Sequence, residues 1–251
     1  MERILGVKGI DELRKLPADR FVREDYDIAA ETRVGRFDPV QDGKVIPKDL
    51  TKVILEDRRT EKLIIGSNRD EGFMTADSVN ELKACVKEIA GDLTDRFLEY
   101  YGAEDDAEAR DMIKKFGSDE WHMRLKYWAK KRAEKGLETW QYYFTKDFYN
   151  PGVGYTGASH SSELMYIFGN GRRLFGDDYV WTEDMQELNT LMSSYWLNFI
   201  KTGDPNGEDL PIWPEIKDEE TDMEIGEETG PTYEFDDELT SLFMEAEDKL
   251  I

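Results

Sequence analysis

A short apolar run in the first third of the chain constrains the fold most strongly. Residues Lys62–Gly66 read Lys-Leu-Ile-Ile-Gly. A run this short and apolar, ended by glycine, is typical of a strand buried inside an α/β sheet. A second run with strand character, Glu138–Thr145, follows after a long stretch of helical patterning. Strands that alternate with long helical stretches predict an α/β fold with a parallel sheet.

Around these strands the sequence predicts mostly helices. Ser78 is a candidate N-cap, because Glu81 stands three residues further on in the spacing of a capping box. Glu183–Lys201 has the clearest helical periodicity, with apolar residues at three- and four-residue steps. The other predicted elements are helices at Glu12–Leu16, Leu93–Tyr101, Ala107–Phe116, Trp121–Lys135, Ser162–Phe168 and from Asp236, a helical turn at Leu50–Leu55, turns or loops at Phe37–Pro47 and Asp147–Ser159, and a strand at Asp222–Ile225.

The helices outnumber the strands too heavily for a complete α/β sheet. Two or three strands cannot form a sheet that these helices would cover on both faces, so the pattern indicates part of a larger α/β fold. A length of 251 residues allows one large domain or two small ones. With no internal repeat or low-complexity linker, we treat residues 1–251 as a single portion of one domain, with an acidic segment at 203–251.

Negative charge is concentrated in that segment. The chain has a formal net charge of −23, and Gly203–Ile251 contains 18 acidic and two basic residues. This balance excludes a typical nucleic-acid-binding protein and disfavours an anionic membrane surface. We interpret the segment as a solvated, solubilising surface, because it lacks the loop signature of a calcium site. No apolar run is long enough to span a membrane.

The single cysteine, Cys85, bears on the cellular compartment. One cysteine cannot form an intramolecular disulfide, and helical spacing around it indicates a buried structural thiol. Met1–Ile10 carries charge throughout and does not resemble a signal peptide. We therefore expect a cytoplasmic protein. We expect neither a metal nor another cofactor, because two distant histidines with one cysteine do not form a usual zinc set, and glycine-rich nucleotide motifs are missing.

The two histidines are the first candidates for chemistry. His122 lies within a charged helical segment, where a solvated or helix-packing side chain is expected. His160 lies in the glycine-rich stretch Gly157–Leu164, where it has either a structural role or a position in a cleft. Asp70 and Glu71 directly follow the first predicted strand, and α/β enzymes place working groups at that end of a strand.

An aromatic cluster occupies the second predicted strand and the residues after it. Its members could line an apolar pocket, but their alternating spacing favours packing in the core of a sheet. They are Trp140, Tyr142, Tyr143, Phe144, Phe148 and Tyr149.

Four segments, in this order, resemble the type-B carboxylesterase family, which includes para-nitrobenzyl esterases and cholinesterases. Phe37–Gly43, followed by Ile46-Pro47, resembles the family's P-v-x-D-G-x-x-i-P stretch. Leu63–Gly72, LIIGSNRDEG, is similar to its G-x-n-x-d-E-G acid loop. Gly157–Gly169, GASHSSELMYIFG, is similar to its histidine segment, and Tyr195–Pro214 to its W-x-n-F-a-x-t-G-d-P-N-g stretch. The resemblance covers roughly Leu5 to Glu215.

The resemblance implies the C-terminal half of a Ser-Glu-His esterase on an α/β-hydrolase fold. The family's triad acid corresponds to Glu71 and its histidine to His160. The histidine would take the proton of a serine hydroxyl, and the carboxylate would hold the ring and stabilise the imidazolium. The implied substrate is a small carboxylic ester. An alternative is a non-catalytic protein-interaction domain, since the family contains adhesion members that retain the fold without the chemistry.

The departure from the family lies in the nucleophile. No serine of this sequence stands in a G-x-S-x-G elbow, and the glycine-rich oxyanion segment is missing too. We therefore expect the isolated chain to be inactive. We also expect it to pair through an exposed sheet edge, either with a separate N-terminal half or with a second copy of itself.

Overall fold

The structure, a computed structural model, describes residues 2–20, 41–49, 56, 61–150, 154–171, 181–217, 221–232, 235 and 237–250. The chain divides into two units, Met1–Val53 and Ile54–Ile251. The turn predicted at Leu50–Leu55 lies outside the described residues, as do the first residues of the turn-rich stretch at Phe37–Pro47.

The described part of the first unit includes the short helices α1 (Glu2–Leu5) and α2 (Ile10–Leu13). The helix predicted at Glu12–Leu16 therefore begins two residues earlier and ends at Leu13, before the tighter turns that precede Pro17. In the stretch 41–49, the Asp42 side chain accepts the backbone N–H groups of Lys44 and Val45 at 2.8 and 2.9 Å. This is the turn chemistry typical of Asp followed by glycine.

The second unit combines a mixed sheet with long helices. Its elements are β1 (Leu63–Asn68), α3 (Val79–Ala90), a 3₁₀ turn (Gly91–Leu93), α4 (Thr94–Tyr101), α5 (Asp106–Ala133), β2 (Thr139–Phe144), β3 (Tyr149–Asn150), β4 (Gly154–Tyr155), α6 (Leu164–Phe168), α7 (Glu183–Thr202), β5 (Asp222–Ile225), β6 (Thr229–Thr232) and α8 (Asp237–Leu250). The strands predicted around Lys62–Gly66, Glu138–Thr145 and Asp222–Ile225 are all present.

The main sheet has the order β1-β2-β5-β6, in which β1, β2 and β5 run parallel and β6 runs antiparallel to β5. Gly66 lies opposite Tyr142 in the register of β1 and β2. A Cβ atom at Gly66 would come within 2.3 Å of the Tyr142 ring, so glycine lets this ring lie across the strand. Within the described part of the chain, β1 pairs with β2 alone and forms one edge of the sheet.

Helices cover both faces of the sheet. On one face, His122 of α5 contacts Tyr143 with ring centroids 4.6 Å apart. On the other face, Phe199 of α7 packs edge-on against Trp140, with centroids 5.7 Å apart. Among the described residues, one apolar core forms between helices α3, α4, α5 and α8 and another between the sheet, α6 and α7. Of the predicted aromatic cluster, the core takes up Trp140, Tyr143, Phe144 and Phe148, whereas Tyr149 is exposed.

Helix α5 corrects the sequence prediction of two helices separated at Gly117. It runs without a break for 28 residues through Gly117. A Cβ atom at Gly117 would lie 2.8 Å from the Met74 side chain. This glycine therefore makes room for the segment after β1 to pack against the helix, and it does not end the helix. The predicted N-cap at the start of α3 is correct, since the Ser78 hydroxyl accepts the Glu81 N–H, whereas the Glu81 carboxylate accepts the N–H of Asp77 and not that of Ser78.

Other boundaries differ from the predicted ones for tertiary reasons. The loop at Asp147–Ser159 contains the short antiparallel pair β3–β4, and β6, which the sequence did not indicate, pairs with β5. Helix α6 begins at Leu164 rather than Ser162, and α8 is described from Asp237. Cys85 is partly buried against the helical core.

The acidic segment Gly203–Ile251 contributes to both cores as well as to the surface. It supplies β5, β6 and α8, and the Leu242 and Phe243 side chains of α8 are buried in the helical core. Its surface acids are partly neutralised: Glu245 accepts from Arg96 at 2.6 Å and contacts Lys249 at 3.0 Å. The segment is therefore structural and not only a solvated surface. Among the described residues, no helix is both long and apolar enough to cross a membrane.

Candidate active site

The candidate site lies where β1 ends at the edge of the sheet. Glu71 follows the strand by three residues, and its side chain is only 6% exposed. Its Oε1 accepts the backbone N–H of Asn68 at 3.0 Å, and its Oε2 lies 2.7 Å from Nδ1 of His160. The structure thus brings together the two residues to which the family resemblance assigns the triad acid and histidine. Whether they have these roles remains a prediction.

Helix α5 supports the loop that carries Glu71. Gly72, with a positive φ of 63°, turns the chain sharply after the acid. Its N–H donates to the Ser118 hydroxyl of α5 at 3.1 Å. Met74 then packs over Gly117, one residue earlier on the same helix. The loop is therefore held against a long helix rather than left to solvent.

The loop that carries His160 (the histidine loop) is joined to the loop that carries Glu71 (the acid loop) by backbone contacts. Asp70 and Ser159 form an isolated parallel bridge, in which the Asp70 N–H donates to Ala158 O at 3.0 Å. The Asp70 carboxylate accepts the Ala158 N–H at 2.8 Å. A Cβ atom at Gly157 would lie 2.4 Å from that carboxylate, and its φ is +66°. Glycine is therefore required for the two loops to meet.

Asn68 connects the same two loops through its side chain. Its Nδ2 donates to Ser159 O at 2.8 Å and to the Glu163 carboxylate at 2.6 Å. Because both neighbours are acceptors, the amide orientation is fixed and Oδ1 points away from them. That Oδ1 atom is buried and has no hydrogen-bond partner among the described residues.

Charged groups brace the outer side of the acid loop. Arg69 contacts the Asp70 carboxylate at 3.0 Å, pairs with Asp147, and donates to Thr145 O at 3.1 Å. Burial opposes the guanidinium charge, but Asp147 and Asp70 outweigh burial and raise the pKa of Arg69.

Tyr142 lies close to the two carboxylates of the site. Burial, with the negative charges of Glu163 and Glu71, raises the pKa of Tyr142 and keeps its hydroxyl neutral.

The geometry fixes which nitrogen of His160 can act as a base. An ionised carboxylate only accepts, so Nδ1 carries the proton that is donated to Glu71 and Nε2 presents a lone pair. The His160 side chain is 62% exposed, and the Phe73 ring, itself half exposed, packs edge-on against it at 4.8 Å. Ser161, directly after His160, has a φ of 67°, which is unusual for a residue other than glycine. The arrangement can accept a proton from a hydroxyl on the open side of the ring.

The described residues offer no serine to that open side. Among them, Glu71 is the hydrogen-bond partner of His160. Ser159 and Ser161 flank the histidine in sequence, and the Ser159 hydroxyl lies 3.3 Å from that of Thr156. No group of three or more side chains in the described ranges could hold a metal ion.

A second histidine network, which the sequence did not predict, lies beneath the site. His122 is fully buried, so of the two environments expected from the sequence, solvated or helix-packing, the solvated one is wrong. Its Nδ1 lies 2.7 Å from the Ser67 hydroxyl of β1, and its Nε2 lies 3.1 Å from Oδ2 of Asp222 in β5. Lys126 reaches the same Asp222 oxygen at 2.8 Å.

The network has one recognisable signal in the sequence. Ser118, His122 and Lys126 recur at four-residue steps and so share one face of α5, which the structure shows to be buried. Burial alone would raise the pKa of Asp222, but its contacts with His122 and Lys126 outweigh burial and lower the pKa below its ordinary value.

The chain matches a known protein family along most of its length. The profile described as "Carboxylesterase family" matches residues 7–241. The chain is 28% identical to para-nitrobenzyl esterase of Bacillus subtilis (strain 168), over 95% of this chain and 48% of that protein. It is 27% identical to phenmedipham hydrolase of Pseudarthrobacter oxydans, over 91% of this chain and 49% of that protein.

Solved structures show the same fold. A thermophilic PNB esterase superposes with a TM-score of 0.74 at 22% identity, over 96% of this chain and 52% of that one. The α/β-hydrolase fold expected from the sequence is confirmed. The chain spans about half the length of the relatives that it matches along most of its own length.

Proposed function

The chain belongs to the carboxylesterase family, and from this membership we propose that it supplies the acid and the base of a serine-dependent carboxylic-ester hydrolase. The observation that carries the proposal is the 2.7 Å contact between Glu71 Oε2 and His160 Nδ1 at the end of β1. The substrate class is a small carboxylic ester, in line with the name of the para-nitrobenzyl esterase relative.

In this proposal His160 moves the proton and Glu71 stabilises its charged form. As a serine oxygen forms a bond to the ester carbonyl carbon, His160 Nε2 takes the hydroxyl proton. The ester C–O bond then breaks, and the same proton passes from Nε2 to the departing alcohol oxygen. Water repeats both steps on the acyl-enzyme and releases the acid. Glu71 is suited to its role because it is buried and already accepts the Asn68 N–H, which holds it in place.

The nucleophile, in this proposal, comes from polypeptide beyond these 251 residues, either of the same chain or of a separate one. Three observations support this. No serine of the sequence stands in a G-x-S-x-G elbow, the His160 side chain is 62% exposed, and the matched relatives are about twice as long.

The bare side of β1 is the surface on which that polypeptide would dock. Within the described residues β1 has a strand on one side only, and an unpaired strand edge presents free backbone N–H and C=O groups. The buried, unpartnered Oδ1 of Asn68 stands at the end of the same strand. We propose a nucleophile-bearing strand as the occupant of this edge, and a second copy of this chain is the competing outcome.

The alternative of a non-catalytic interaction domain is the weaker one. A domain that only binds a partner needs the sheet edge but not a buried carboxylate held at 2.7 Å from an open imidazole. The absence of an elbow motif is the feature that favours it. Activity after complementation separates the two.

The test measures p-nitrophenyl butyrate hydrolysis by the purified chain, alone and co-expressed with the N-terminal half of a full-length relative. We expect no turnover and no fluorophosphonate adduct from the chain alone, and turnover from the pair. His160→Gln should abolish that turnover. Glu71→Gln should lower kcat by about 10⁴-fold, since the carboxylate sets the ring tautomer. Glu88→Gln, an exposed carboxylate on α3, is the matched control and should have no effect.

Three outcomes would contradict the proposal. Turnover and a stoichiometric adduct from the chain alone would place an active serine within these 251 residues. An active pair that is insensitive to His160→Gln would remove the role of the histidine. A stable dimer of this chain by light scattering, with no exchange against the N-terminal half, would assign the β1 edge to a second copy.

A further inference from the structure

Ser67, His122 and Asp222 form a hydrogen-bonded chain inside the molecule. The serine hydroxyl lies 2.7 Å from Nδ1 of the ring, and Nε2 lies 3.1 Å from the carboxylate. The three residues lie on β1, α5 and β5, so the chain of contacts crosses the sheet beneath β2. Ser67 and Asp222 are each 2% exposed and His122 is 0% exposed.

The neighbouring groups assign the protons along this chain. A carboxylate only accepts, so Nε2 of His122 must carry a hydrogen. Lys126 already balances the charge of Asp222 at 2.8 Å, so a positive ring would add an uncompensated buried charge. The neutral ring therefore accepts the Ser67 hydroxyl proton at Nδ1. Its plane is held by stacking on Phe235, with centroids 5.2 Å apart.

The connectivity resembles that of an activated serine, but burial prevents it from acting on a substrate. What the hydrogen bond to His122 does fix is the rotamer of the Ser67 side chain. The next residue, Asn68, donates its N–H to Glu71 at 3.0 Å and its Nδ2 to Ser159 O at 2.8 Å. One residue thus separates the buried network from the group that holds the acid loop and the histidine loop together.

We propose that His122 is a positioning residue, which acts through Ser67 to fix the end of β1 so that Asn68 holds Glu71 against His160. Its value for ester hydrolysis rests on the proposed function, whereas the positioning itself does not. An apolar helix–sheet contact would pack α5 on the sheet without the desolvation cost of a buried Ser-His-Asp-Lys set. The polar network instead fixes the position of one side chain, because directional hydrogen bonds constrain the Ser67 oxygen to one location.

The experiment uses the two histidines of the chain as reporters. Long-range ¹H–¹⁵N correlation spectra of the ¹⁵N-labelled full chain give the ring signals of both, assigned with His160→Gln. We expect a pyridine-like Nδ1 and a pyrrole-like Nε2 for His122. Ser67→Ala should shift the His122 signals and also the Nδ1–H proton of His160, which is donated to Glu71. It should speed hydrogen exchange of the Asn68 amide by about tenfold, the factor for one lost hydrogen bond.

Matched variants separate positioning from loss of stability. Tyr195→Phe removes a partly buried hydrogen bond elsewhere, from the buried Tyr195 to Pro211 O at 2.7 Å, and should leave the His160 signals unchanged. Ser67→Thr keeps the hydroxyl and should restore the wild-type His160 signal. Asp222→Asn keeps the side-chain volume and should move both histidines, as Ser67→Ala does, which provides a second test should Ser67→Ala not fold.

A response confined to His122 in Ser67→Ala and Asp222→Asn would overturn the proposal, and so would an equal His160 response to Tyr195→Phe. These outcomes can be distinguished from those of the ester-hydrolysis test. His160 signals that follow Ser67 in a chain that complementation never activates would support positioning and contradict the proposed function.

Discussion

The surroundings of His122 and His160 are built from the same chemical parts and differ in what is missing. Each ring donates to a carboxylate, Asp222 in one case and Glu71 in the other. His122 also has a serine at its second nitrogen but is fully buried, whereas His160 is mostly exposed and has no serine there among the described residues. Hydrogen-bond connectivity alone therefore does not make a serine reactive. The same site must also be accessible to a substrate and desolvated when the substrate is bound.

The largest expected difference between the two regions is in stability. Asp222→Ala leaves the Lys126 cation, whose side chain is 7% exposed, without its partner, so we expect a loss of about 3–5 kcal/mol. Glu71→Ala leaves only the Asn68 N–H unpaired, since His160 can bind water, so we expect about 1–2 kcal/mol. Urea unfolding of both variants measures the difference. Equal losses in the free energy of unfolding would show that the two networks contribute equally to stability.

A smaller effect should appear in acid. The pKa of Asp222 is lowered in the folded chain, so its contribution to stability is present above its ordinary value of 3.8 and is lost as the pH falls through the folded pKa. Unfolding free energies of wild type and Asp222→Asn should differ by a constant amount above about pH 5. Below 3.8 the difference should shrink, by at most about 1.4 kcal/mol per pH unit. A difference that grows on acidification would contradict this sign.

The smallest effect concerns backbone strain beside the exposed histidine. Ser161 has a φ of 67°, a left-handed conformation that glycine adopts without a steric penalty. Ser161→Gly should stabilise the chain by about 0.5 kcal/mol, the excess of that penalty over the entropy that glycine adds to the unfolded state. Asp209→Gly, at the other described non-glycine residue with positive φ, is the control and should gain less, because aspartate tolerates this conformation. A loss of stability in Ser161→Gly would show that the serine side chain holds the turn.

Local sequence signals predicted most of the second unit. The apolar run at Lys62–Gly66, the strand at Glu138–Thr145 and the helix at Glu183–Lys201 each appear within two residues of the predicted ends. Strand β6 could not be predicted in this way, because Gly230 and Pro231 are poor strand formers and pair only where β5 offers an edge. Gly117 within α5 likewise makes room for Met74, and this contact is remote in sequence, so no local pattern shows it.

The candidate site divides in the same way. The position of Glu71 after a strand and that of His160 in a glycine-rich loop are local patterns, and their roles were implied by the family resemblance. The Ser67–His122–Asp222 network joins three elements that are far apart in sequence. No local pattern indicates which strand residues face the buried side of α5. Only the register of the sheet against α5 decides that.

The parallel pairing of β1 with β2 has a consequence for how the chain folds. The two strands are separated in sequence by α3, α4 and α5, so closing the sheet requires ordering a long loop before its contacts are gained. The three helices contact one another locally and need no such closure. We expect helical structure to form early and the sheet to follow slowly. Glu71 and His160 lie on opposite sides of that late step, so they come together only after the helices between the strands have formed.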